Sequence, residues 1–399
     1  MLSALADGTT LLINLLDAAD VRVMREALTA LGIELRSEPA GLAVAGCGGV
    51  FPILDARLSL GNAGTAFRSL TAALAFAGGR YELDGVARMR QRPIGDLFDA
   101  LNLLGARIHY AGQLGFPPLI IEPVHSLASD RVFINASVSS QFLSGLLMAS
   151  PLIAGDDGLR IFVRGTLVSQ PYVALTVSLM RRFGVSVTRE QDSYMVPKAL
   201  YRSPSRFVVE GDASSASYFL ALGAIASGPV QVDGVGKDSV QGDVRFADVL
   251  ASMGAQVEVG ANHVKVSAPA SGRLQAIDAD CNHIPDAAMT LATVALFADG
   301  PSRLRNIGSW RVKETDRIAA MATELRKVGA QVEEGSDWIR IVPPKQFREA
   351  TIDTYDDHRM AMCFSLVSAS GVPVHIRDPG CVTKTFPEYF ERLAALVQR

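Results

Sequence analysis

The chain has few cysteines: Cys47, Cys281, Cys363 and Cys381 are scattered, and no two form a CxxC pair. Neither a disulfide framework nor a thiolate metal site is suggested, and a reducing cytoplasm is the expected compartment. An excess of one charge is also missing. With 38 Lys plus Arg against 41 Asp plus Glu the net charge is -3, so no nucleic-acid surface covers the protein and any basic cluster is local. Long apolar runs are absent too. Residues 287–298 are interrupted by Thr290 and Thr293 and fall short of the roughly 20 residues that span a bilayer. The start Met1-Leu2-Ser3-Ala4-Leu5 lacks a basic leader and merges into a helical pattern, so neither a signal peptide nor a membrane anchor is expected.

The 399 residues, 49% of them hydrophobic, exceed what one core usually accommodates, so two domains of comparable size are expected. One pattern recurs along them: an amphipathic helix, a glycine, then a short alternating run. It ends in Gly32-Ile33-Glu34-Leu35, Gly105-Ala106-Arg107-Ile108, Gly184-Val185-Ser186-Val187, Gly254-Ala255-Gln256-Val257 and Gly329-Ala330-Gln331-Val332. Glycine just past a helix is the usual left-handed cap, and alternation after it suits a half-buried strand. The spacing of 70 to 79 residues suggests duplicated βα units, each longer than a solenoid repeat. A helix over 389–399 falls where a sixth copy would. Three units per domain follow, with residues 1–209 as the N-terminal domain, its first repeat incomplete, and 210–399 as the C-terminal domain.

Several segments carry polar chemistry at helix starts. Leu60-Gly61-Asn62-Ala63-Gly64-Thr65-Ala66-Phe67-Arg68 is a glycine-bearing turn running into an apolar helix; free amides there form an anion site, although a plain strand-to-helix turn explains it as well. Arg88, Arg90 and Arg92 precede a helix with Ile94, Leu97, Phe98 and Leu101 on its apolar face. Arginine forks suit phosphate and carboxylate, against a solvated basic loop as the ordinary explanation. Ser137-Val138-Ser139-Ser140-Gln141 offers one N-cap and leaves Ser140 and Gln141 for a polyhydroxylated ligand. Asp286 opens an apolar helix, as a dipole-stabilised carboxylate or as a base. Glu314 and Arg317, three apart in Trp310-Arg311-Val312-Lys313-Glu314-Thr315-Asp316-Arg317, share a face if helical. Asp356-Asp357-His358-Arg359 sets a His and an Arg before a buried-looking helix, with the aspartates readable as a capping motif and the His as structural. Lys384 alone reads as a surface lysine.

Together and in order, LGNAGTAFR, RPIG, SVSSQF, EGDASSASYF, NHIPDAAMT, WRVKETDR, DDHRMAM and TKTFPEYF closely resemble the EPSP synthase family over nearly the whole chain. The resemblance implies an α/β enolpyruvyl transferase fold of two domains, each of three βαβαββ units, closing over a cleft. It implies transfer of the enolpyruvyl group of phosphoenolpyruvate to the 5-hydroxyl of shikimate 3-phosphate in aromatic amino-acid biosynthesis, with no metal or organic cofactor, by a cytoplasmic monomer. Ser139, Ser140, Gln141, Ser169, Asp286 and Lys313 are implied shikimate-phosphate contacts, with Tyr172 beside the ring. Gly64, Arg92, Gln141, Arg317, Arg359 and Lys384 are implied phosphoenolpyruvate contacts. Asp286 is the expected base and Glu314 the expected acid, with Lys313 and His358 completing the catalytic set.

The chain departs from the family at three points. A Lys-Ser segment that the family carries before the first helix has no counterpart, which implies reduced turnover for a chain starting here. Ser309 replaces the usual Asn before the Trp, and Ser69 the usual Pro after the Arg of the glycine loop; the latter bears on glyphosate, the herbicide that occupies the phosphoenolpyruvate site in this family. Two alternatives stand beside the main expectation. One is a UDP-amino-sugar enolpyruvyl transferase, whose catalytic loop cysteine has no evident counterpart; the other is a binding protein of the same fold without turnover.

Overall fold

In the computed structural model, which describes residues 1–399 apart from 125–126, 227 and 398–399, all five signature glycines take left-handed backbone. Their φ values are +85° at Gly32, +100° at Gly105, +86° at Gly184, +94° at Gly254 and +104° at Gly329. Each stops a helix as its sequence position suggests, because a side chain in that region clashes with the backbone. The strands that follow, Leu35–Glu38, Arg107–Tyr110, Thr188–Glu190, Gln256–Val259 and Gln331–Glu334, start one to three residues past the glycine's neighbour. The chain needs that distance to leave the helix axis and enter the sheet.

The chain separates into two compact units, Met1–Val209 and Glu210–Arg399. Each has its own apolar core, one around Leu70, Leu83, Phe142 and Leu146, the other around Leu250, Leu291, Ile318 and Met362. Among the described residues the first unit holds three four-stranded sheets and the second holds sheets of three, four and two strands. One topology recurs. Asp55–Ser59 pairs in parallel with Arg80–Asp84, which pairs antiparallel with Leu119–Glu122, and that strand takes Arg107–Tyr110 on its other edge. The sheets of Arg131–Asn135 and of Asp278–Asp280 repeat it strand for strand. With a helix after each of the first two strands, this is a βαβαββ unit. In the first sheet the place beside Thr9–Ile13 is filled by Arg206–Val208, at the far end of the unit, with Leu11 opposite Arg206.

The sixth repeat runs Ala350–Ile352, helix His358–Ser365, Val374–Ile376 and helix Tyr389–Val397. The last two residues of the expected terminal helix lie outside the described residues. The helix expected over 287–298 is shorter: an α-helix covers Ala288–Val294 and a tighter 3-10 turn covers Ala295–Phe297. Helix Ala213–Ile225 carries no charged residue and is buried on nearly all sides. Among the described residues no helix is long and apolar enough to cross a membrane.

Candidate active site

In the first unit the glycine turn bends at Gly61, φ +51°, and delivers the chain into helix Gly64–Leu74. Arg92 crosses this helix start, donating from Nη1 to the Asn62 carbonyl at 3.0 Å and to its Oδ1 at 3.1 Å. A Cβ on Gly64 would stand 2.6 Å from Arg92 Nη2, so the guanidinium occupies space that only glycine leaves open. Buried Arg68 sets the path of that arginine loop, donating to Met89 Sδ at 3.3 Å and to the Pro93 carbonyl at 2.8 Å. The other two arginines behave differently. Arg90 forms an exposed pair with Asp84, and Arg88 bonds to Gln91 Oε1, so the solvated basic loop is the right account for them and not for Arg92.

Ser139 caps helix Ser140–Ile153, accepting from the Gln141 amide at 3.2 Å. Ser140 is buried, and Gln141 Nε2 donates to Thr65 Oγ1 at 3.2 Å, tying the serine loop to the glycine loop. Asn135 braces the same loop from behind: its Oδ1 accepts from the Ser137 amide and its Nδ2 donates to Asp96. Ser169, at φ +51°, and Tyr172 enter helix Gln170–Arg182, and the amide of neighbouring Val168 bonds to the Ala136 carbonyl. The first unit thus gathers Gly64, Arg92 and Gln141 around one pair of helix starts, with Ser139, Ser140, Ser169 and Tyr172 alongside.

The second unit builds a denser charge cluster around Asp286. Its Oδ1 meets Lys313 Nζ at 2.5 Å and Arg317 Nη1 at 3.4 Å, and its Oδ2 meets Arg359 Nη2 at 2.9 Å. Arg317, 2% exposed, forks onto Asp357 at 2.7 and 3.1 Å and reaches Glu314 Oε2 at 2.9 Å. Lys384 approaches the other Glu314 oxygen at 3.7 Å. Local folding explains these positions. Trp310 Nε1 donates to the Pro285 carbonyl at 3.1 Å, pinning the segment before Lys313 to the one carrying Asp286. Asp316 caps helix Arg317–Lys327, so Glu314 sits one turn ahead of the helix and reaches Arg317 without being helical itself. Asp357 caps helix His358–Ser365 through the Arg359 amide, in keeping with the capping motif.

The electrostatics of Asp286 differ from those of a helix-entry carboxylate. The helix starts two residues later, at Ala288. Burial raises the carboxyl, but Arg359, Lys313 and Arg317 overcome it and hold the group well below the usual carboxylate range. Buried Asp243, which the sequence did not mark, accepts from the amide of Ala287, next to Asp286; burial and the Asp286 charge push it up to about 6, while Ser214 Oγ donates to it. Tyr218 was also missed as a site residue, though it lies in a recognised string; Arg359 Nη1 donates to its hydroxyl at 3.1 Å. His358 is buried and its imidazole is pushed down to about 3, mainly by desolvation. Neither ring nitrogen has a hydrogen-bond partner among the described residues, so it stands as a neutral ring beside Asp357. No cluster of metal-ligating side chains occurs among the described residues.

The arrangement can bind multiply charged anions: Lys313, Arg317, Arg359 and Lys384 converge with two reachable carboxylates, Asp286 and Glu314. Known proteins align with the chain along its whole length. The chain is 60% identical to the 3-phosphoshikimate 1-carboxyvinyltransferase of Thiobacillus denitrificans, covering 100% of the chain and 93% of that protein. It is 59% identical to the enzyme of the same name from Nitrosomonas europaea, over 99% and 92%. Among solved structures, EPSP synthase from Acinetobacter baumannii superposes with a TM-score of 0.78 at 25% identity, covering 99% of this chain and 91% of that one. The enolpyruvyl transferase NikO from Streptomyces tendae shares the fold, with a TM-score of 0.73 at 17% identity over 99% and 90%. The sequence profile of EPSP synthase (3-phosphoshikimate 1-carboxyvinyltransferase) matches residues 1–393, and the chain belongs to that family.

Proposed function

We propose that the protein transfers the enolpyruvyl group of phosphoenolpyruvate to the 5-hydroxyl of shikimate 3-phosphate and releases phosphate. The observation that carries this is Asp286 set among Lys313, Arg317 and Arg359, with Glu314 set between Arg317 and Lys384. Both substrates carry phosphate and a carboxylate, and cations held in place before the substrate arrives stabilise charge without reorganising. We assign Arg92, Arg317, Arg359 and Lys384, with the Gly64 backbone and Gln141, to phosphoenolpyruvate. Ser139, Ser140, Gln141, Ser169, Tyr172 and Lys313 go to shikimate 3-phosphate.

In the ligand-free cluster Asp286 is ionised but weakly basic, because three cations face it. An arriving phosphate and carboxylate compete for those cations, and each contact they take from Asp286 raises its basicity. Asp286 then accepts the 5-hydroxyl proton as the oxygen attacks C2 of phosphoenolpyruvate, and Glu314 delivers a proton to the C3 methylene. The tetrahedral intermediate loses phosphate as the bond between C2 and the phosphate oxygen breaks, the leaving phosphate taking up the proton that Asp286 accepted, and a methyl proton returns to Glu314 to restore the double bond. Positioned acids and bases of this kind contribute about 10²- to 10⁴-fold each. Phosphate release on mixing the two substrates tests the proposal, with Asp286→Ala and Glu314→Gln each expected to lose most turnover. Near-normal turnover in either folded variant would remove that residue from its role.

A further inference from the structure

Helix Arg317–Lys327 presents a second buried charge two turns beyond Arg317, on the same face. Glu324 is fully buried, yet no step proposed above uses it. Its Oε1 accepts from the Tyr355 hydroxyl at 2.7 Å and its Oε2 from the Asp353 amide at 3.1 Å. Lys327, one turn on, lies 2.7 Å from Glu324 Oε2 and 2.7 Å from Asp353 Oδ2, and donates to the Thr351 carbonyl at 3.2 Å. Arg377 holds the other oxygen of Asp353 at 3.0 Å. A buried carboxylate is expensive unless paired and hydrogen-bonded, and every partner of this one belongs to its own helix or to the segment that leads into Asp357.

That segment has an unusual backbone. Tyr355 and Asp356 are consecutive left-handed residues, φ +55° and +54°. Asp visits this region with some ease; a bulky tyrosine does so only when its surroundings hold it there. The next three residues are Asp357, which forks onto Arg317, then His358 and Arg359, which meets Asp286. The helix therefore grips the 353–357 segment at two points, through Arg317 and Asp357 at its start and through Glu324 with Tyr355 and Asp353 near its end. Tyr355 belongs to the second grip and Asp356 lies between the two, and the conformation of this pair aims Asp357 and Arg359.

We propose that Glu324 is a positioning residue of the phosphoenolpyruvate site, holding Tyr355 and Asp356 left-handed so that Asp357 and Arg359 face Arg317 and Asp286. The proposal rests on the assignment of Arg317 and Arg359 to phosphoenolpyruvate. Without the clamp the segment relaxes toward negative φ, Asp357 withdraws from the guanidinium and Arg359 loses its aim. The shikimate-phosphate contacts of the first unit are untouched.

The test uses the full chain with Glu324→Gln and Tyr355→Phe, read by steady-state kinetics and by amide exchange over residues 353–360. Loss of a hydrogen bond to a buried charge predicts a rise of about 10-fold in KM for phosphoenolpyruvate, with KM for shikimate 3-phosphate unchanged and the 357–360 amides exchanging faster. A lowered unfolding midpoint with both KM values unchanged would overturn the proposal, as would unaltered exchange in folded variants. If Glu324→Gln does not fold, Tyr355→Phe, which removes one hydroxyl, decides alone. If the unsubstituted protein shows no turnover, the functional proposal fails; exchange and the calorimetric affinity for phosphoenolpyruvate then still decide the role of Glu324.

Discussion

Replacing Asp286 by alanine should destabilise the second unit substantially. The carboxylate is 16% exposed and faces Lys313 at 2.5 Å, Arg359 at 2.9 Å and Arg317 at 3.4 Å. Its removal leaves three cations facing one another across a site from which water is largely excluded. Removing one member of a buried pair costs about 3–5 kcal/mol. Residual exposure and relief of Asp243, whose own charge Asp286 opposes, place the expected loss at the lower end, about 3 kcal/mol. The sign follows from linkage: the folded carboxyl lies below its unfolded value of 3.8, so its contribution is present above that pH and disappears as pH falls through the depressed value. Both tryptophans, Trp310 and Trp338, lie in the second unit, so their fluorescence during urea unfolding follows that unit alone. With a slope of about 2 kcal/mol/M the midpoint should fall by about 1.5 M. Inorganic phosphate should recover part of the loss in the variant by occupying the exposed cations. An unchanged midpoint with no phosphate dependence would refute the view that Asp286 is held chiefly by these cations.

Gly64→Ala should leave the fold intact but displace the Arg92 guanidinium, whose Nη2 stands 2.6 Å from the added carbon; KM for phosphoenolpyruvate should rise while the unfolding free energy stays within about 1 kcal/mol of the parent. Asp243 is raised to about 6 against an unfolded value of 3.8, so it binds a proton more tightly when folded and subtracts stability as pH rises through that window. The stability of Asp243→Asn relative to the parent should therefore grow between those two values and level off above; a pH-independent difference would contradict it. His358, lowered to about 3, acts in the opposite sense, and only the difference between the two proteins isolates Asp243. Ser69→Pro should strengthen inhibition by glyphosate at equal phosphoenolpyruvate. Ser69 Oγ donates to the Thr65 carbonyl at 2.8 Å, and proline at this interior helical position would press against that carbonyl and shift the Gly64 turn. Superimposable inhibition curves would refute this.

The helix-ending glycines were legible because a left-handed cap is a local property, decided within one turn of chain. Helix N-caps were legible for the same reason, as at Ser139 and Asp357. Partners distant in sequence were not. Nothing near Arg317 announces Asp357, which stands 40 residues away, and nothing near Gln241-Gly242-Asp243 marks a buried carboxylate beside Asp286. Three arginines in one loop looked alike as residue types; burial against Gly64 singles out Arg92, and that depends on where the glycine turn lies. The family resemblance supplied candidate residues, whereas their protonation and mutual pairing needed three-dimensional distances.

Enolpyruvyl transfer can be followed by NMR identification of the product when the protein is incubated with phosphoenolpyruvate and shikimate 3-phosphate. One inorganic phosphate should be released for each new enol ether at the 5-oxygen, with its two vinyl protons resolved, and neither signal should appear when either substrate is omitted. Phosphate release without that enol ether, or no consumption of either substrate, would contradict enolpyruvyl transfer.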